Sequence, residues 1–505
     1  MATSRTRKAA KNIVYGLSTE LIKLACGLIL PRLILSNYGS AYNGIVTSVS
    51  NFLSVIALMK MGIGDATRAA LFKPLANKDD DQINEVLAST EAFMRRIAAI
   101  FAIFVLGFSC IYPLLISDEF EWLFSASLVL IISISTFAEY YFGFTYQMLL
   151  SADQKYYIYH GLSILTTILN AVVSVILING NYSIHIVKLG SAAVNIITPI
   201  YLYIYCHRKY NLKKKKDVKP KKIPQRWDAF THEVASFVND NTDTMILTVF
   251  TNLSEVSVYS IYHYVIINLK KIISSFVSSF GSAFGDMYAR DERELMKKNL
   301  RIYETITFSF VSVIYSTTLA LIVPFVLLYT KGVNDTNYDR ELFAVLLTLG
   351  GAFNCIRYPY KSIINCTGHF KMTKKIAISE AVMNILISFA VVLKYGLIGV
   401  AVGTVCTMIF GTLMYSKFVA DHIVLRDPKE SYFHIVLTVV VMAVVYLLSR
   451  FYIGTIHSYL MWVVFAFVTV FLAGILTLLI DIVFYREQLN VLIQRGLHLL
   501  KRKHG

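Results

Sequence analysis

Charge is scarce in this sequence, and that scarcity excludes an ordinary soluble protein. Of 505 residues, 16% are charged and 56% hydrophobic, and the mean hydropathy is +0.58. A water-exposed surface needs roughly a quarter of the chain to be charged. Cysteine spacing of the metal-binding or disulfide kind is also missing. Cys26, Cys110, Cys206, Cys355, Cys366 and Cys406 lie in or beside apolar runs with no CxxC, so they read as small buried hydrophobes. No nucleophile motif, phosphate-cradling glycine loop or His/Asp cluster occurs, and His160, His185, His263 and His369 are scattered. The first apolar run carries Glu20, Lys23 and Arg32 and lacks a small-residue cleavage site, so it is not a removable signal. No long polar segment offers an extramembrane domain.

What the sequence has in abundance is apolar runs of membrane length. A bilayer core about 30 Å thick takes roughly 20 apolar residues per helix, and such windows recur to the end of the chain, as in Ser431–Arg450 and Ser458–Ile480. Helices are predicted at 12–35, 41–64, 93–117, 123–150, 156–179, 183–206, 229–252, 256–285, 301–330, 341–365, 373–393, 397–416, 432–451 and 457–484. The fold class is therefore all-α, a polytopic membrane protein of about fourteen transmembrane helices.

The excess of basic residues fixes the expected orientation. With the N-terminus in the cytoplasm, the inner segments hold 36 of the 48 Lys and Arg, and the outer loops hold Lys331, Arg340, Lys394 and Arg450. That asymmetry is the positive-inside pattern, and it places both termini in the cytoplasm. The net charge of +16 then reports topology and attraction to anionic membrane lipids, not a nucleic-acid partner. The run HRKYNLKKKKDVKPKKIPQR at 207–226 reads as a cytoplasmic linker.

The chain also repeats itself. YQMLLSADQKYYIYHGLSILTTILNAVVSVIL from Tyr146 pairs without gaps with YKSIINCTGHFKMTKKIAISEAVMNILISFAV from Tyr360, so Asn170 meets Asn384. VKLGS at 187–191 meets VAVGT at 400–404, and Gly64-Asp65 meets Gly285-Asp286. Six spans per copy make the repeats parallel, related by an axis along the membrane normal, as in transporters that rock two lobes about a shared cleft. The predicted domains are an N-terminal six-helix lobe (1–206), a basic linker (207–227), a second six-helix lobe (228–420), and two further helices with a basic tail (421–505).

Polar side chains inside the spans mark where such a cleft is expected, because a buried charge in a bilayer is costly and needs a cavity or a partner. Tyr264, Asn268, Lys271, Ser275, Ser278, Ser282 and Gly285 form one stripe at helical spacing. Close helix packing explains such a stripe equally by small residues, but Asn268 and Lys271 favour a cleft. Asn354, Arg357, Lys361 and Asn365 share a face of the next-but-one helix, with Pro359 expected to kink it. Two cations four residues apart, beside amides, suit a phosphate or diphosphate, unless Lys361 snorkels to the interface. Asp240, Asp243 and Glu380 either pair with these cations or take up a proton or Na⁺ during the cycle. Lys60, Lys188 and Glu139 find no role in this reading.

Three stretches carry a family resemblance over nearly the whole chain. They are the basic start before YGLSTELIKLACGLILPRLIL, the GIGDATRAAL that closes the second helix, and GHFKMTKKIAISEAVMNILISFAVVLKYGLIGVAVGT at 368–404. With the 6+6+2 plan, the sequence resembles the polysaccharide repeat-unit flippases, O-antigen and capsule type, of the multidrug/oligosaccharidyl-lipid/polysaccharide exporter superfamily. The resemblance implies a bacterial cytoplasmic-membrane protein that moves a polyprenyl-diphosphate-linked oligosaccharide from the inner to the outer leaflet by alternating access. It implies no catalysis and no bound cofactor beyond a coupling ion. The lipid-linked oligosaccharide, membrane lipids and the polysaccharide polymerase machinery are the partners it suggests. It also implies that Arg32, Lys271, Arg357 and Lys361 hold the diphosphate, and that the last two helices line a groove for the lipid tail. A cation-coupled drug exporter or peptidoglycan-precursor exporter of the same superfamily is the alternative. A membrane glycan polymerase is the second, disfavoured because the longest outer loop, KGVNDTNYDR at 331–340, is short.

Overall fold

The computed structural model describes residues 2–60, 62–210, 212, 227–277 and 281–501, and among them it is helical with no strand. Twelve helices among the described residues are long and apolar enough to cross a membrane. Two more, Trp227–Phe250 and Leu253–Val277, have the length but carry Asp240, Asp243, Lys270 and Lys271 within it, which lowers their hydropathy. With them the long helices number the fourteen expected from the sequence.

Numbered along the chain, the helices are α1 (Ala2–Tyr38), α2 (Ser40–Lys60), α3 (Ile63–Asn77), α4 (Asp80–Leu115), α5 (Trp122–Ala152), α6 (Tyr157–Asn179) and α7 (Ile184–Lys209). There follow α8 (Trp227–Phe250), α9 (Leu253–Val277), α10 (Gly281–Ala289), α11 (Arg293–Tyr329), α12 (Glu341–Thr367), α13 (Phe370–Tyr395) and α14 (Leu397–Val424). Last come α15 (Lys429–Ser449), α16 (Tyr459–Phe484) and α17 (Arg486–Lys501). The order α1–α7 recurs as α8–α14, down to a short helix after the second crossing and a long one of 36 or 37 residues after that. The repeat extends to defects. In α5 the helix widens to a π turn over Glu139–Gly143, and α12 is interrupted at Arg357, which stands opposite Gly143 in the sequence alignment of the copies. Pro359 explains the second break: it has no N–H to give the carbonyl of Cys355 four residues back.

The chain divides into two compact units, 1–234 with 251–257, and 235–250 with 258–505. The basic linker expected at 207–227 lies for the most part outside the described residues. In unit 1 the core gathers Ile45, Val49, Phe101, Phe108, Tyr112, Leu128 and Tyr140. Leu253, at the start of α9, joins this core, with its carbonyl against Gly44 where a Cβ would have no room. The Leu253 N–H donates to Glu119 at 2.8 Å.

In unit 2, α13 and α14 are pressed together at Gly399 and Gly403. A Cβ at either would sit within 3 Å of the backbone of Val391 or Ser388, the close approach that small residues four apart allow in membranes. The two helices beyond the repeat pack on α11. Ala320 and Leu321 meet Ile456, Trp462 and Phe465, and Val441, Val445 and Ala473 meet Val313. Ser309 donates to Asp481 at 2.7 Å, so the one acidic residue within α16 is held by a hydroxyl. Arg426, Tyr360 and Ser431 all donate to the buried carboxylate of Glu304, which ties the approach to α15 to α11 and α12. Most of α16 is left facing outward, as lipid requires.

Candidate functional site

The charges within the helices of unit 2 converge. Asp240 and Asp243 lie on α8 three residues apart, near one face; Lys270 is on α9, Arg357 and Lys361 are on α12, and Glu380 is on α13. Lys270 donates to Asp240 at 2.8 Å. Arg357 pairs with Glu380, and the two are 3% and 1% exposed. That seclusion makes the pair one unit: removing either partner leaves a bare charge in a medium that cannot solvate it. Asn239 donates to the same Glu380 oxygen at 3.1 Å. Gly411 on α14 makes the room, since a Cβ there would lie 3.0 Å from the carboxylate and 3.1 Å from the Arg357 guanidinium.

One turn from Asn239 along α8, Asp243 accepts from Thr404 at 2.7 Å and from Tyr259 at 3.1 Å. Its second oxygen is buried without a hydrogen-bond partner, as are the side-chain oxygen of Asn239, both amide atoms of Asn384 and the hydroxyl of Ser388. Asn384 and Ser388 follow Glu380 at successive turns of α13. Buried polar atoms are nearly always satisfied, so a cluster of orphans calls for an occupant. Four of these five atoms are hard oxygens, one of them on a carboxylate, a donor set that suits Na⁺ or a proton in an intramembrane site.

Lys361 sits over the ring of Tyr415 at 5.6 Å and within electrostatic range of Arg357, Glu380, Asp240 and Lys270. It makes no ion pair among the described residues, which leaves its charge available. Asn354, one turn before Arg357, is buried with its amide towards the sulfur of Met408 at 3.4 Å. Asn268 donates to the carbonyl of Tyr264 at 2.7 Å within α9. Lys271 is exposed; its neighbour Lys270 is the lysine that turns to Asp240. Arg32 is half-buried on α1 and belongs to unit 1. Ser278 and the side chain of Ser282, which complete the stripe on α9, lie outside the described residues.

Asp240, Asp243, Arg357, Lys361 and Glu380 thus stand in one neighbourhood. Lys270, Asn239, Tyr259 and Thr404 join them without having been singled out in the sequence. The signal for Thr404 was present in its alignment with Ser191, and that for Asn239 in the dense polar run Asn239–Asp243.

No family model and no curated protein matches this sequence. Solved structures do. A lipid II flippase, MurJ in an inward closed conformation, superposes with a TM-score of 0.71 at 16% identity, covering 94% of this chain and all of that one. An inward-facing multidrug resistance transporter of the MATE family of the MOP superfamily gives 0.60 at 14% identity, covering 81% of this chain and 98% of its own. The Vibrio cholerae MATE transporter VcmN in its bent form gives 0.51 at 15% identity, covering 86% and 99%.

Proposed function

The fold of this chain is that of the exporter superfamily to which these transporters belong, and from that premise we propose that the protein is a flippase. It moves a polyprenyl-diphosphate-linked oligosaccharide repeat unit from the inner to the outer leaflet of a bacterial cytoplasmic membrane by alternating access, with both termini cytoplasmic. The observation that carries the proposal is the superposition on a lipid flippase over 94% of the chain. The uncovered remainder is shorter than α15 and α16 combined, so the match reaches into the helices beyond the repeat.

The cations of unit 2 supply the chemistry. Lys361 and Lys271 meet the diphosphate, with the amides of Asn268 and Asn354 as neutral donors; Arg32, on α1 of unit 1, is a separate candidate for the same role. Arg357 is engaged by Glu380 and becomes an anion-binding fork only when Glu380 is neutralised. Proton uptake at Glu380, or cation uptake at Asn239, Asp243 and Asn384, therefore trades charge within one network. Ion binding and cargo binding are coupled through it.

The test is deletion in the native host, followed by assigning lipid-linked oligosaccharide to a leaflet. Complete units stranded on the inner leaflet, with surface polysaccharide lost, are expected. Units that reach the outer leaflet unpolymerised would point to a polymerase. Unchanged glycan lipids with altered sensitivity to cationic compounds would point to drug export, the reading that the multidrug transporter match keeps open.

A further inference from the structure

Unit 1 contains a small, partly open cavity of about 170 Å³ lined by α1, α2, α5, α6 and α7. Its polar lining includes Lys188, Ser191 and Asn195 on α7, Asn170 and Ser174 on α6, and Ser135 on α5. Through the internal repeat, Asn170 and Ser174 are the counterparts of Asn384 and Ser388, and Ser191 is the counterpart of Thr404. The same polar frame therefore recurs in both units, but with opposite charge. In unit 2 it is completed by Asp243 and Glu380. In unit 1 the position matching Glu380 is Thr166, α1 lines the cavity with Leu30 and Ile34, and the charge is Lys188, whose counterpart is Ala401.

No acidic side chain lines this cavity. A lysine inside a membrane protein without a carboxylate must draw its counter-charge from elsewhere. The amide oxygen of Asn170 is buried without a hydrogen-bond partner; it is an acceptor for the Lys188 ammonium, and the NH2 of the same amide is the donor it can offer an anion. Ser174 and Ser191 share a hydrogen bond at 3.2 Å, which engages one hydroxyl proton and leaves the other free to turn inward.

We propose that this cavity is a binding site for a small monovalent inorganic anion of the halide kind, held by the Lys188 ammonium and by the neutral donors Asn170, Ser135 and Ser191. The volume holds a chloride with a few waters, each taking about 30 Å³. A single cation among neutral donors matches one negative charge and leaves a divalent oxyanion half-compensated.

The experiment is thermal unfolding of the purified full chain in detergent, followed by tryptophan fluorescence. Chloride replaces gluconate at constant ionic strength, with a phosphate series beside it. Chloride is expected to raise Tm saturably, by at least about 2 °C, and Lys188→Gln is expected to abolish the rise. Asn170→Asp, which places a carboxylate opposite the lysine, should raise Tm in gluconate and remove the response to chloride. A chloride response that survives Lys188→Gln would overturn the assignment. So would no response in the unaltered protein, or stabilisation by phosphate in place of chloride.

Discussion

Arg357 and Glu380 show how one pair can hold both structure and function. Arg357→Gln alone should lower stability by about 3–5 kcal/mol, because it strands a buried carboxylate. Adding Glu380→Gln should recover most of that loss. Thermal unfolding of the two single variants and the double variant closes the cycle, and additive losses would contradict a direct pair. Asp243→Asn belongs to the same scale. It keeps the hydrogen bonds to Thr404 and Tyr259 available while removing the charge from the orphaned oxygen cluster. Flipping in proteoliposomes is expected to lose its dependence on a Na⁺ or proton gradient in this variant, and retention of that dependence would remove Asp243 from the coupling site. Lys361→Gln should weaken cargo binding without affecting that gradient response.

At the scale of elements, the contacts that matter are those between backbones. Gly403 brings α14 so close to α13 that a Cβ would lie 2.1 Å from the Ser388 hydroxyl and 2.9 Å from its backbone nitrogen. Gly403→Val should cost about 1–3 kcal/mol, read as a lower Tm. Trimming Ser388 to Ala should not rescue it, because the nearer fixed obstacle is backbone. The break in α12 has the opposite sense. Pro359→Ala restores the missing amide donor and should raise Tm, while it straightens the helix that presents Arg357 and Lys361 and so slows flipping. A variant that is both more stable and fully active would show that the interruption serves no transport purpose.

At the scale of the whole molecule, the expected topology is directly measurable. With the native cysteines removed, Asn334→Cys in the loop between α11 and α12 should react with a membrane-impermeant maleimide in intact cells. Glu292→Cys, before α11, should react only after permeabilisation. The reverse pattern would invert the orientation drawn from the basic residues. Within unit 2 the second repeat and the appended helices are distinct in composition but bonded together. Glu304 accepts from Tyr360, Arg426 and Ser431, so the segment leading into α15 is fastened to the second repeat by a buried carboxylate.

The sequence by itself marked the crossings and the repeat and set an expected direction, because each rests on a property spread along the chain. Apolar length sets a crossing, the alternation of basic loops sets direction, and gapless self-alignment sets the repeat. It also marked Asp240, Asp243, Arg357, Lys361 and Glu380, since charge inside an apolar run is conspicuous wherever it falls. Only the tertiary structure decided which charges meet. Lys270 and Lys271 are neighbours on one turn, and nothing in their order says that Lys270 faces Asp240 while Lys271 is exposed. Arg357 and Glu380 are 23 residues apart on different helices, and their pairing depends on the room left by Gly411. Lys188, without a role in the sequence, became the subject of a proposal only when it was seen to line a cavity that no acid lines. Partnership among buried charges is a matter of rotation and packing between helices, which local sequence does not encode.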